Sequence, residues 1–226
     1  MDRRFLFFAV LTAVFAIASV TNVYAGDRKK TGLTAIEVAT QVQALYDNTT
    51  SYQARFRQTY RARILNVKRD STGMVHYVKP GKISFRYDEP SGNRVVSDGK
   101  SLKIYERNNK QMYLVKVNRS QYPAALSFLF GDGKLVRDFR LRLLDPKRLK
   151  VKNGYVLEGI PRDATPSYDR MLLYVDGRSH HVRRVLLLDA FGNRNRFDFK
   201  APRLNKKIPD SEFRFRAPPG TTIIRP

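Results

Sequence analysis

The sequence predicts a mainly β protein: an antiparallel meander of about ten to eleven strands that curls on itself, with short helices able to plug its mouth. Three observations carry this expectation. Aromatic and aliphatic residues alternate with charged ones in short runs along most of the chain. Turn pairs punctuate those runs at hairpin spacing: Asp98-Gly99, Asp132-Gly133, Asn153-Gly154, Asp176-Gly177 and Gly192-Asn193. Two segments break the alternation: residues 34–46 with helical spacing, and residues 122–130 with an Ala/Leu/Phe-rich run that ends at Gly131. A sheet with this many strands closes or nearly closes on itself, and what fills its middle decides the function.

The elements follow in order. Residues 1–25 have a positive start at Arg3 and Arg4, an apolar run over 5–20 and a small-residue end at Val23-Tyr24-Ala25. This is the pattern of a cleaved secretory signal peptide, and the apolar run is short for a membrane anchor. The mature part, 26–226, reads as one domain, soluble and outside the cytoplasm. In the first helix Thr34 and Glu37 form a capping box, and Ile36, Ala39, Val42 and Leu45 make the apolar stripe. Residues 52–67 form a long strand with Phe56, Tyr60, Ala62 and Ile64 on one face and Arg55, Arg57, Arg61 and Arg63 on the other. Residues 73–79 continue the sheet. In the next strand Ile83, Phe85 and Tyr87 face inward while Lys82, Ser84 and Arg86 face water. Strands over 94–97, 102–105 and 112–117 follow, the first two joined at Asp98-Gly99.

Residues 122–130, Tyr-Pro-Ala-Ala-Leu-Ser-Phe-Leu-Phe, then form a short helix more apolar than a surface helix requires. Strands resume over 135–143, 155–160, 167–175, 182–190 and 195–199, with no long crossover, and Phe213 and Phe215 precede Pro218-Pro219-Gly220 near the end.

The chain has no cysteine, which removes disulfides, thiol catalysis, thiolate metal ligands and lipidation of the export signal together. The formal net charge is +23, suited to an anionic lipid or an acidic glycan; export argues against nucleic acid. The arginine stripe on 55–63 reads as a solvated outer face or as a patch for acidic partners. His76 lies mid-strand, while His180 and His181 are adjacent in a turn and point apart, a poor chelate. Asp132-Gly133-Lys134 lacks the frame of a phosphate loop. The sequons at Asn48 and Asn118 matter only in a eukaryotic secretory path. No nucleophile, base and acid come together, so no catalytic residue, metal or cofactor is assigned. The aromatic set Phe56, Tyr60, Phe85, Tyr87, Tyr105, Phe128, Phe130, Phe139 and Tyr174 is either ordinary core or the wall of an apolar cavity.

Several of these elements, in this order, resemble a known family. They are Phe56-Arg57-Gln58, Lys79-Pro80-Gly81-Lys82, Phe85-Arg86-Tyr87, Glu89-Pro90, Val96-Ser97-Asp98-Gly99-Lys100, Leu102 to Tyr105 and the closing Phe213/Phe215-Pro-Gly segment. The mature chain resembles the LolA-type lipoprotein carriers of the bacterial periplasm along its whole length. The resemblance implies an incomplete antiparallel β-barrel with short helices as a lid over an apolar cavity for acyl chains, here lined by Phe56, Tyr60, Ile83, Phe85, Tyr87, Ile104, Leu126, Phe128, Leu129 and Phe139. It also implies acylated lipoproteins as cargo, an ATP-driven (ABC-type) inner-membrane extractor and an outer-membrane receptor as partners, and a monomer. Lys79 matches a functionally important arginine of the family in lid movement and transfer. Tryptophan, common in the family's central strands, is absent; Phe85, Tyr87 and Lys103 stand in its neighbourhood. The alternative is a protein of the same fold that binds or senses anionic lipid or glycan in the periplasm. An outer-membrane porin fits less well, because the strands carry charge on one face.

Overall fold

The computed structural model describes residues 32–116, 133–165 and 167–225. The expected signal peptide and the expected helix 122–130, with Leu126, Phe128, Leu129 and Phe130, lie outside the described residues. Helix α1 (Ala35–Asp47) starts as its capping box predicts. The Thr34 hydroxyl accepts from the Glu37 amide at 3.2 Å and the Glu37 carboxylate accepts from the Thr34 amide at 2.7 Å. At the other end the Asn48 side chain donates to the Ala44 carbonyl and the Thr49 hydroxyl to the Leu45 carbonyl. Carbonyls that the helix leaves unpaired are thereby satisfied.

Twelve strands follow among the described residues: β1 (Ser51–Ala62), β2 (Val67–Val78), β3 (Lys82–Tyr87), β4 (Arg94–Asp98), β5 (Ser101–Glu106), β6 (Gln111–Lys116), β7 (Phe139–Leu144), β8 (Gly154–Pro161), β9 (Arg170–Asp176), β10 (Val182–Leu188), β11 (Arg194–Leu204) and β12 (Thr222–Ile224). They form one sheet in the order β12-β6-β5-β4-β3-β2-β1-β11-β10-β9-β8-β7. All neighbours are antiparallel except β12 with β6. The order begins and ends on different strands, so the sheet is open, as an incomplete barrel requires.

The order departs from a simple meander. β6 and β7, consecutive among the described strands, stand second and last in the sheet. Two meanders, β1–β6 and β7–β11, are joined by the pairing of β1 with β11, so the expectation of no long crossover is corrected. Residues 135–138 are not strand but a helical turn, α2 (Leu135–Asp138). The Asp138 carboxylate takes the Lys134 amide at 2.7 Å and the Gln43 side chain takes the Leu135 amide at 3.0 Å, which holds this stretch in a turn against α1. The β4–β5 reversal uses Gly99-Lys100, one residue beyond the expected pair. Asp98 accepts from the Lys100 and Ser101 amides at 2.8 Å, and Gly99 takes the positive φ of +91°.

The sheet has an inner face under α1 and an outer face. Val38, Ala39, Val42 and Tyr46 of α1 join Leu157, Leu173, Val175, Val182 and Val185 in one buried cluster, together with Leu135 and Phe139. Ile36, expected on this stripe, is 52% exposed, because it sits in the first turn beyond the sheet's cover. Ile64 is also exposed, since β1 ends at Ala62 and residues 63–66 make the turn.

The outer face of β2–β6 is covered too. The turn Asp210–Phe213 lies against β3 and β4, burying Phe213. The Lys103 ammonium donates to the Phe215 carbonyl at 2.8 Å, and the rings of Phe215 and Tyr105 lie 5.3 Å apart. Ser84, expected to face water, is therefore fully buried, as are His76 and Val96 beside it.

Two outcomes follow from this packing. A Cβ built on Gly73 falls 2.1 Å from the Arg86 carbonyl oxygen and 2.8 Å from the Phe56 ring. Gly73→Ala should therefore shift β2 against β3 and lower the unfolding free energy by about 1–3 kcal/mol, read from urea denaturation midpoints. His76 is held below its usual pKa by burial, against the pull of Glu212, with Arg86 and Arg94 adding to the depression. The folded chain then binds fewer protons than the unfolded one, so stability is fully present above pH about 6.5 and declines as pH falls below it. His181, depressed by burial, acts in the same direction. Thermal midpoints should fall from pH 7.5 to about 5.5, and His76→Gln should flatten that fall in part.

Candidate functional site on the inner face of the sheet

The inner face carries a line of aromatic rings. Phe56 lies 5.4 Å from Phe85, 5.0 Å from Tyr87 and 6.3 Å from Phe197, the first two edge-on. Phe197 stacks on Phe199 at 6.4 Å, Phe199 meets Tyr52 at 6.3 Å, and Tyr52 meets Tyr46 of α1 at 6.4 Å. Alternation on β1, β3 and β11 places these rings on one side, and registers such as Phe56↔Phe199 and Ala54↔Val75↔Phe85 bring them together. Gly73 leaves the gap that the Phe56 ring fills.

Next to this cluster the wall changes character. One row across the sheet runs Phe85↔Val95↔Ile104↔Tyr113, and another ends Leu102↔Val115. Cross-strand partners share a face, so all of these lie inside. Phe85 is buried, while Val95, Leu102, Ile104, Tyr113 and Val115 are only half-buried. On these same strands the outer-facing Val96, Tyr105 and Met112 are buried. Burial in β4–β6 is thus uneven: the C-terminal segment lies over the outside, where Leu114 stays half-buried, and the inside, apart from the buried Ser97, keeps an incompletely covered apolar surface.

A short polar relay borders the rings. The Tyr87 hydroxyl donates to Gln58 Oε1 at 2.8 Å and Gln58 Nε2 donates to Asn195 Oδ1 at 2.9 Å. Burial pushes the Tyr87 hydroxyl up to about 12, so it stays a neutral donor. Tyr46, also raised by burial, accepts from the Val182 amide at 3.1 Å and pins α1 to β10. This surface offers apolar contact to a ligand.

The predicted residues separate on this map. Phe56, Ile83 and Phe85 are buried on the inner face; Tyr60, Tyr87 and Ile104 are half-buried there. Phe139 is buried at the β7 side, close to Gly159, rather than in the line of rings. Tyr105 and Tyr174, read as part of the aromatic set, lie on the outer face: Tyr105 packs on Phe215, and the Arg184 guanidinium covers the Tyr174 ring at 4.9 Å. Phe197, Phe199 and Tyr52 were not singled out from the sequence, although the alternation Phe197-Asp198-Phe199 carries the signal.

Lys79 sits at the C-terminus of α1. Its ammonium donates to the carbonyls of Tyr46 at 2.7 Å and Asp47 at 2.9 Å, where the helix's partial negative charge is concentrated. Asp47 in turn pairs with Lys134 at 2.8 Å. Lys79 thus fixes the end of the helix that roofs the inner face.

Known proteins resemble this chain in sequence and in fold. Residues 47–216 match the model of the family described as outer membrane lipoprotein carrier protein LolA. The outer-membrane lipoprotein carrier protein of Cupriavidus pinatubonensis is 27% identical over 202 residues, covering 85% of this chain and 90% of that protein. The one from Bordetella avium is 30% identical over 154 residues, 68% of this chain and 71% of its own length. The crystal structure of a conserved protein from Thermus thermophilus superposes with a TM-score of 0.51 at 16% identity, covering 85% of this chain and 99% of that one, a likeness of fold. The chain belongs to the LolA family of outer-membrane lipoprotein carrier proteins.

Proposed function

We propose that this protein is a periplasmic chaperone that takes the acyl chains of lipoproteins onto its inner face and carries them from the inner to the outer membrane. Residues 1–25 direct its export and are removed. The observation that supports this reading best is the half-covered apolar wall of β4–β6, continuous with the buried rings of Phe56, Phe85 and Phe197. A protein without an apolar ligand would gain by burying that wall. Each covered CH₂ is worth about 0.8 kcal/mol, so a sixteen-carbon chain gains on the order of 12 kcal/mol when sheltered. That magnitude explains why acylated cargo needs a shell to cross water. It also explains why the wall is left incomplete: a carrier has to bind less tightly than the acceptor that relieves it.

In this reading Phe56, Tyr60, Ile83, Phe85, Tyr87 and Ile104 line the acyl site. The resemblance also assigns it Phe139, at the β7 side, and Leu126, Phe128 and Leu129, which lie outside the described residues. Lys79 holds α1 in its roofing position and lets it shift on transfer. An ABC-type inner-membrane extractor loads the carrier and an outer-membrane receptor unloads it. Its role is binding and transfer, with no covalent chemistry.

The purified protein should keep a membrane-released lipoprotein soluble, and a fluorescent apolar probe bound to it should be displaced by palmitate. Lipoprotein that stays with the membrane in its presence overturns the reading. Ile104→Glu, at a half-buried inner position, should weaken palmitate binding by about tenfold or more while the far-UV spectrum is kept. Lys79→Met should lower the unfolding free energy by about 1–2 kcal/mol by uncapping α1, and Lys79→Arg should restore most of it, measured by denaturant titration.

A further inference from the structure

Two hairpin tips stand side by side at the end of the sheet away from Lys79. The β1–β2 turn, residues 63–66, and the β10–β11 turn, residues 189–193, are tied by the Arg63 amide donating to Asn193 Oδ1 at 2.9 Å. Gly192 lies so close to Arg63 that a Cβ there falls 2.9 Å from its Cδ. β1 and β2 each run twelve residues, which puts the tips roughly 40 Å from the α1 end. The tips present bulky apolar side chains to solvent: Ile64 and Leu65 are each 75% exposed and Phe191 is 67% exposed.

Directly behind them is an open cleft of about 690 Å³. Five cations line it, Arg61, Arg63, Lys68, Arg170 and Arg194, beside apolar Ala62, Val67 and Leu188, with no carboxylate in its lining. Lys68 pairs with Asp70 and Arg170 with Glu158. Arg61, Arg63 and Arg194 have no carboxylate within ion-pair distance among the described residues. The neighbouring Asp189 carboxylate is engaged by the amides of Phe191 and Asn193 and by the Asn193 side chain, so it serves the turn.

We propose that these tips dock the protein on anionic phospholipid bilayers. Ile64, Leu65 and Phe191 enter the headgroup boundary, and the cations behind them take lipid phosphates. The layering is what selects a membrane over an acidic protein. Exposed apolar groups lead and cations follow within one to three residues, Arg63 beside Ile64, Lys68 after Leu65 and Arg194 after Phe191, the sequence of environments met on entering a bilayer from its acyl boundary outward. A patch of three large apolar residues on adjacent turns, with no role in the core, also needs a covering surface. This surface is separate from the inner face and does not depend on the carrier role, so either can fail alone.

The chain contains no tryptophan, so a single introduced one reports only its own site. Residues 26–226, which hold every described element, would be prepared with Leu65→Trp, Phe191→Trp or, as a distant control, Ile223→Trp, which is 43% exposed on β12. With phosphatidylethanolamine–phosphatidylglycerol vesicles, the two tip reporters should shift to the blue and be quenched by brominated acyl chains. The control should do neither, and pure phosphatidylcholine vesicles should give no shift. The triple variant Ile64→Ser/Leu65→Ser/Phe191→Ser keeps every charge and should lower the vesicle partition coefficient on the order of tenfold. Arg61→Gln/Arg63→Gln/Arg194→Gln should weaken binding more than Arg148→Gln/Lys150→Gln/Lys152→Gln, which removes equal charge elsewhere. Tips that stay in water while vesicles bind, equal loss from both charge variants, absence of vesicle binding, or a dimer that the triple serine variant dissolves would each overturn the proposal.

Discussion

The pairing of β1 with β11 is the contact on which the rest of the structure depends. It joins two meanders that would otherwise be separate small sheets, and it closes more than a hundred residues of chain. The entropy of bringing such distant segments together is about 4 kcal/mol beyond the contact itself. Aromatic contacts across the seam, Phe56 with Phe197, Tyr52 with Phe199 and Phe85 with Phe197, each add about 0.5–1.5 kcal/mol beyond area burial. Together they are of the size the closure requires. Polar pairs fix the register: Gln58 with Asn195 inside, and the Arg196 guanidinium donating to the Thr59 hydroxyl at 3.5 Å outside. The seam that makes the fold possible is therefore also the floor of the candidate site.

Joining the meanders fixes which surface is inside, but the two faces are closed by different means. α1 and α2 roof the inner face over β7–β11, burying Leu157, Leu173, Val175, Val182 and Val185 and leaving Leu141, Leu143 and Tyr155 partly covered, and the C-terminal segment seals the outside of β2–β6. Since the outer seal already buries Val96, Tyr105 and Met112, the inner apolar residues of β4–β6 are not needed to hold those strands. They are free to remain half-covered without loss of the sheet. An apolar wall can be kept for a ligand only if stability is secured elsewhere, and here the clasp through Phe213, Phe215 and β12 secures it.

Much of this was legible in the residues, and the failures have one cause. The capping box at Thr34, the alternation through Ile83, Phe85 and Tyr87, and most of the turns were readable because local chemistry decides them. Alternation also divides each strand into two faces. It does not say which face is covered, because that depends on segments distant in sequence. Ser84, Tyr105 and Tyr174 were misassigned for this reason: residues 205–221 and Arg184 cover the outer face, and the former carry no periodicity that announces a docking strand. Residues 135–138 run directly into the alternation of 139–143 and read with it as one strand, yet Asp138 and Gln43 capture the Lys134 and Leu135 amides and wind the stretch into a turn. Phe197 and Phe199 did carry the signal, in a strand whose pattern is as clean as that of β3.

The separation of charge from grease explains how one molecule can serve both proposed surfaces. Of the chain's cations, Lys79 meets the rim of the inner face, and its charge is taken up by two helix carbonyls. The arginines of β1 point outward, Arg55 to Asp88 and Arg57 to Asp70. A cation left facing an acyl chain would lose its hydration with no partner to replace it, a cost of several kcal/mol that would cancel the burial of many methylenes. Outside, the same charges cost nothing in water and attract phosphate. That attraction is screened over about 10 Å at ordinary salt, so it acts only where a surface is already close. A shuttle needs this combination: an interior whose hold on its cargo scales with chain length, and an exterior that is drawn to a bilayer only at close range.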